Sequence, residues 1–238
     1  MLARIRFVKV PIWSEEDLKE ILRKGFIALN LSVEKSIISG IVREAYGSPL
    51  IVQELGAYLC YSSDIRERVS EKRAIGPINV KELVKAAVQQ GSLAADKPTF
   101  MQLIIGRTPP IGRNEYAVNG GGKGDVYFLV FNALRAMDLS APIPHEAINK
   151  WIKDNQPSGA RPQGGQITVA LEGLKKTSRE LVKQAQDQHR SRELPIESRG
   201  DVRTLYVNDP FLKLYIKYAN WDEEYKARLG QLKKAEKK

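Results

Sequence analysis

Between Gly164 and Val182 one stretch of chain writes a buried face and a charged face into the same helix, and this constrains the fold more than any other feature. Ile167, Ala170, Leu171, Leu174, Ser178, Leu181 and Val182 recur at three- and four-residue spacing. At ~100° per residue they form one mostly apolar stripe that must enter a core. Thr168, Lys175, Lys176, Arg179 and Lys183 fall outside the stripe, with Glu172 and Glu180 as acidic interruptions. The outward surface is mixed and leans positive. A recognition helix has this shape, and so does an ordinary surface helix; periodicity alone does not choose between them.

The flanking residues supply companions. Asp125 stands as an N-cap before a run in which Val126, Leu129, Val130, Ala133, Leu134 and Met137 share one face. Pro142 and Pro144 end that helix and start another, whose apolar face is Ala147, Ile148, Trp151 and Ile152. The third helix is expected from Gln166 to Lys183. Two β-favouring runs follow, Leu194 to Glu197 and Val202 to Val207, around a hairpin-type turn at Ser198, Arg199, Gly200 and Asp201. Three helices and a hairpin is the order of a winged helix-turn-helix. The linker from Gln156 to Gly165 is longer than a compact motif needs, so an elaborated version is expected.

Before this region the chain reads as a short strand and a small helical domain. Ile5 to Val10 alternates like a strand. Ser14 caps an acidic helix start with Asp17 in the capping-box position, and Leu18, Ile21, Leu22 and Phe26 form the buried face. Val33 to Tyr46 is a second helix stopped by Gly47, and Ser48 with Pro49 starts a third, Leu50 to Tyr61. Ile65 to Gly91 is expected to be helical, broken at Gly76 and Pro77. The segment from Ser92 to Gly124 is rich in turn residues and is expected to connect domains. The expected organisation is therefore a lid-like domain over 1–91, a linker over 92–124, a winged-helix domain over 125–221 and a charged tail over 222–238.

Composition bounds the partners. The 238 residues are 42% hydrophobic, enough for a sizeable core, and the net charge is +10. With a sequence pI of about 9.6, nucleic acid, an anionic membrane surface or an acidic protein all suit the chain. Cys60 is the only cysteine, so no intrachain disulfide forms and a reduced, cytoplasmic setting is the simpler expectation. No apolar run approaches the ~18 residues of a membrane span, and the opening lacks the core of a secretory signal.

Motifs for chemistry fail on detail. Asn119 to Asp125 places glycines before Lys123, but Gly124 and Asp125 stand where a phosphate loop of the Walker type needs a serine or threonine. His145 and His189, the only histidines, lie far apart and without ligand spacing. Cys60 sits in an apolar helical context that suits a buried thiol. No catalytic residue, metal or cofactor is expected.

The chain resembles the C-terminal part of the prokaryotic AAA+ and STAND-like ATPases, in which a P-loop core is followed by a helical lid and a winged helix. The strand at Ile5 to Val10 resembles the last strand of the nucleotide-binding sheet. Trp13 to Phe26 and Ile41 to Leu59 resemble the lid helices around their Gly-x-Pro turn, here Gly47, Ser48 and Pro49. Asp125 to Leu134 and Thr204 to Trp221 resemble the start of the winged helix and its closing segment, with Asp209, Pro210 and Phe211 as the aromatic-bearing turn. Two departures stand out. The phosphate loop and the acidic metal-binding strand of such ATPases would lie before Met1, and the position of the family's arginine after Gly-x-Pro is Leu50, with Arg43 nearby in sequence.

The resemblance implies a separately encoded or truncated regulatory unit that cannot hydrolyse ATP alone. It would bind DNA through Lys175, Lys176, Arg179 and Lys183 on the helix and Arg190, Arg192, Arg199 and Arg203 along the wing. The alternative is a protein-interaction or autoinhibitory module that docks on an ATPase core or a sensor partner.

Overall fold

The first helix begins where its cap predicts. Ser14 Oγ accepts from Asp17 N at 3.1 Å, and the Asp17 carboxylate accepts from Ser14 N at 3.2 Å, closing the capping box of α1 (Glu15–Ala28). The computed structural model describes residues 13–93, 97–106, 113–118, 122–157, 161–187, 194–199 and 203–235, without the side chains of 198, 199 and 232–235. The strand expected at Ile5 to Val10 lies outside them. The fold is mainly helical with small sheets, and it divides into two compact units, Met1–Ala87 and Val88–Lys238.

In the first unit α1 packs on α2 (Lys35–Glu44) and α3 (Pro49–Ser62). Leu18, Leu22, Ile41, Ile51, Leu55 and Leu59 bury their side chains there. Gly56 allows the approach of α1, because a Cβ at this position would stand 2.7 Å from Leu22 Cδ2. Tyr46 and Gly47 take positive φ values of 50° and 80°, and this left-handed turn releases the chain into Ser48, whose Oγ accepts from Ile51 N.

The expectation of helix over Ile65 to Gly91, broken at Gly76 and Pro77, is corrected before the break and holds after it. Residues 65–79 are irregular except for β2 (Arg73–Ile75), which pairs in parallel with β1 (Leu31–Val33), and only α4 (Val80–Gln89) is helical. Val33, expected to start the second helix, is instead the last residue of β1. Both departures come from one pairing: Ser32 lies against Ala74, some forty residues away, and no local propensity encodes that contact.

The second unit is built around α6 (Val126–Ala136). Asp125 caps it by accepting from Phe128 N at 3.0 Å, and Phe128, Leu129, Val130, Phe131, Ala133 and Leu134 are all buried. A helix apolar nearly all round must be enclosed, and α6 is flanked by α5 (Lys97–Ile105), α7 (His145–Asn155), α8 (Gly164–Asp187) and α9 (Pro210–Tyr218).

A three-stranded antiparallel sheet, in the order β5 (Ile143–Pro144), β7 (Thr204–Val207), β6 (Ile196–Arg199), completes this unit. The turn expected at Ser198 to Asp201 is corrected in part, since Ser198 and Arg199 pair with Leu205 and Thr204 as ladder residues. Gly200 to Val202 lie outside the described residues.

Two further stretches depart from expectation. The segment read as a linker supplies β3 (Tyr116–Ala117), β4 (Lys123–Gly124) and α5, whose Phe100, Leu103 and Ile104 are buried. The segment read as a charged tail over 222–238 belongs, as far as Ala235, to α10 (Trp221–Ala235), where Trp221 and Tyr225 are fully buried. Phe128 meets both rings, at centroid distances of 5.4 and 5.0 Å. Arg135 lies over Trp221 at 4.3 Å and donates to the carbonyls of Ile216 and Ala219, satisfying the open end of α9. One aromatic pair four residues apart anchors a helix whose other residues are largely charged.

Candidate nucleic-acid interface

The inward stripe of α8 is as its periodicity predicts: Ile167, Ala170, Leu171, Leu174, Ser178 and Leu181 are buried, with Thr177 beside them and Val182 half-buried. Ser178 Oγ also accepts from Ile196 N at 3.1 Å, so the one polar group in the stripe fixes the first residue of β6 against the helix. The helix and the sheet are therefore held in one register.

The outward residues divide. Lys175 folds back on Glu172, with Nζ 2.8 Å from Oε1 and only 20% of its side chain exposed. That hydrogen bond holds the Glu172 carboxyl below the usual carboxylate range. Lys175 is thus the one of the four helix cations that has an ion pair among the described residues. Lys176, Arg179 and Lys183 are exposed and form no ion pair with any described residue. At spacings of three and four they share one face, and Lys176 and Lys183 stand ~10 Å apart along the axis.

Of the wing cations, Arg203 is exposed, and its carbonyl accepts from His145 N at 2.8 Å, tying the start of α7 to the strand region. Arg199 is a residue of β6 whose side chain lies outside the description, and Arg190 and Arg192 fall outside the described residues altogether.

Three features here escaped the sequence reading. His145 is buried at 4% exposure with both ring nitrogens lacking partners among the described residues. Burial pushes its pKa below the ordinary 6.5, Lys175 and Arg203 push the same way, and Glu172 opposes them. Val169 is 70% exposed, an aliphatic side chain on the same outward face as Lys176 seven residues on. Its signal was present, since it is the apolar residue that falls off the stripe. Arg113 donates to Asp125 at 2.7 Å and to the Ile105 carbonyl at 2.8 Å, and stacks over Tyr127 at 4.4 Å. No local pattern announces this buried pair.

The glycine-rich stretch before Asp125 has a packing explanation at the position described. Gly124 lies directly against the Phe128 ring, where a Cβ would overlap it. Asn119, Gly120 and Gly121 lie outside the described residues. Among the described residues no group of three or more His, Cys, Asp or Glu side chains is arranged to hold a metal, and no helix is long and apolar enough to cross a membrane. Compared with known proteins, the chain matches no family model, no curated protein and no solved structure.

Proposed function

We propose that the chain is a non-catalytic, AAA+/STAND-like regulatory module whose second unit is a winged helix-turn-helix that binds duplex DNA. In this reading α6, α7 and α8 are the three helices, α8 is the recognition helix, and β6 and β7 form the wing. The order β5-β7-β6 supports it, because the short strand between the first two helices pairs with the returning wing strand. The observation that carries the DNA reading is the row Lys176, Arg179 and Lys183, exposed and unpaired among the described residues on a helix locked to its sheet. Cations left open to solvent attract phosphate and release its counterions. Walker-type residues are absent from the sequence, so the module hydrolyses no ATP by itself.

Duplex binding titrated against salt tests this. Affinity is expected to fall steeply from ~50 to ~200 mM salt, as counterion release requires. Absence of duplex binding at low salt, or a Lys176→Ala/Arg179→Ala variant that binds as the wild type does, overturns it.

A second reading, docking on an ATPase core or a sensor partner, is favoured by a cavity in the first unit. It measures about 430 Å³ and lies between α1 and α3, where Ile21, Phe26, Leu29, Ala57 and Ile65 make it mostly apolar. Size-exclusion chromatography with the protein encoded next to this chain is the test. A chain that elutes alone rejects docking.

A further inference from the structure

The outward face of α8 is not uniform along its length. Its cations begin at Lys176, whereas the two turns before Glu172 present Gly165, Thr168 and Val169 and carry no charge. Thr168 Oγ1 is turned back to the Gly164 carbonyl at 3.1 Å, which leaves Val169 as the side chain standing into solvent, 70% exposed. Gly165 lies one turn before it on the same face. A Cβ at Gly165 would meet nothing within 4 Å, and its φ is not in the left-handed region. Neither internal packing nor backbone conformation accounts for that glycine. A surface that lets an outside body approach the backbone closely does account for it.

We infer that this uncharged stretch reads base edges in the major groove and that Val169 makes an apolar contact with the 5-methyl group of thymine, so that the module discriminates DNA sequence at that position. The inference rests on the DNA-binding reading above and adds the chemistry of the target. Three observations support it together. Lys176 and Lys183 continue the line of Val169 at seven-residue intervals, so phosphate contacts from the basic half place the valine deep in the groove. An aliphatic side chain has one distinctive partner there, because thymine alone among the four bases offers a methyl group to the major groove. The sole carboxylate beside Val169 on this face, Glu172, is already neutralised by Lys175 at 2.8 Å and does not repel the approach. A-form RNA is excluded as the target, since its major groove is too deep and narrow for side chains and its uracil lacks the methyl.

The test starts from duplexes selected by the full chain out of a randomised pool at low salt. Each thymine of the selected site is then replaced in turn by deoxyuridine, which removes only the methyl. One position is expected to lose affinity by about fourfold, the worth of one buried methyl group. In the Val169→Ala variant that position should no longer distinguish thymine from deoxyuridine, while the salt dependence stays as in the wild type. Gly165→Ala should weaken binding of the selected duplex and leave the melting temperature unchanged or raised, an outcome that a purely structural role for the glycine would not give. If every deoxyuridine duplex binds as the parent does while Lys176→Ala/Arg179→Ala still abolishes binding, the thymine contact is wrong and the DNA-binding reading survives. If the wild type retains no duplex from the pool, both fall.

Discussion

Helices α1 and α8 have similar ingredients and opposite consequences. Both are amphipathic and both carry lysine, arginine and glutamate on the outer face. On α1 the charges close on themselves: Lys19 reaches Glu16 at 2.7 Å and Glu15 at 3.7 Å, Arg23 reaches Glu16 at 3.5 Å, and Lys24 reaches Glu20 at 3.7 Å. On α8 Lys175 pairs with Glu172, and Lys176, Arg179 and Lys183 form no ion pair with any described residue. The number of charges does not decide this. Register alone does not decide it either: Glu172 stands three and four residues before Lys175 and Lys176 and pairs with Lys175, while Lys183 forms no ion pair with any described residue although Glu180 stands three residues before it. A field that a distant phosphate can feel survives only where the cations stay unpaired. The helix starts differ as well. Ser14 and Asp17 close the α1 cap at the surface, whereas Asp125 caps α6 at 2% exposure and carries a buried arginine besides.

The largest effect is expected where that second contrast is cut. Asp125→Ala removes the cap of α6 and leaves Arg113, only 16% exposed, without its carboxylate. Breaking a buried pair from one side costs about 3–5 kcal/mol. Denaturant unfolding of the full chain should show that loss in the transition of the second unit. A loss below ~1 kcal/mol would mean that Arg113 finds water or another acceptor at no cost.

Next in size is the contrast between closed and open charge. Lys176→Ala with Arg179→Ala should lower the slope of log affinity against log salt by about 2 and weaken duplex binding on the order of a hundredfold at ~50 mM salt. The matched change on α1, Lys19→Ala with Arg23→Ala, should leave duplex binding as it was. Equal losses from the two helices would mean that net charge, not the open row on α8, drives association.

How much of this could be read from the chain follows the range of the interactions. The caps at Ser14 and Asp125 and the stripe of α8 are local, and each was legible because three or four residues contain the whole argument. The strand β5 was not. Ile143 and Pro144 have no strand pattern of their own and are extended because Leu205 and Thr204 pair with them across sixty residues. Tyr225 falls in the segment read as a charged tail since its neighbours are charged, and a distant ring, Phe128 at 5.0 Å, helps to make it core. At the candidate interface Lys176, Arg179 and Lys183 were legible from helical phase. The withdrawal of Lys175 depends on a rotamer and a partner, which phase does not specify.

Acid should separate the start of α7, where His145 is buried, from α1, with a smaller effect. His145 is held below 6.5 by burial, so below that pH the unfolded chain takes up a proton that the folded chain refuses. Stability therefore falls as pH drops below about 6.5 until the folded His145 itself titrates, with a slope of at most ~1.4 kcal/mol per pH unit. His145→Leu should flatten this limb. On α1 the acid-sensitive group is Glu16, held low first by its hydrogen bond from Lys19, so what it contributes is present above its ordinary 4.5 and is lost only at lower pH. Melting temperatures between pH 7 and 5 should thus decline for the wild type and hold level for His145→Leu. A decline shared by both would place the sensitive group elsewhere.

The smallest effect belongs to the exposed cap. Ser14→Ala removes the acceptor for Asp17 N and half of the capping box, which costs typically about 1 kcal/mol and toward 0.5 at solvent-exposed helix starts. Water can replace the lost acceptor at Ser14, whereas Asp125 is only 2% exposed, so the two cap deletions should differ severalfold although each removes one side-chain acceptor from a helix start. Measuring both by the same denaturant titration isolates burial as the variable. A Ser14→Ala loss equal to that of Asp125→Ala would show that capping itself, and not the stranded Arg113 charge, sets the scale, and the contrast between an open surface cap and a sealed one would lose its physical basis.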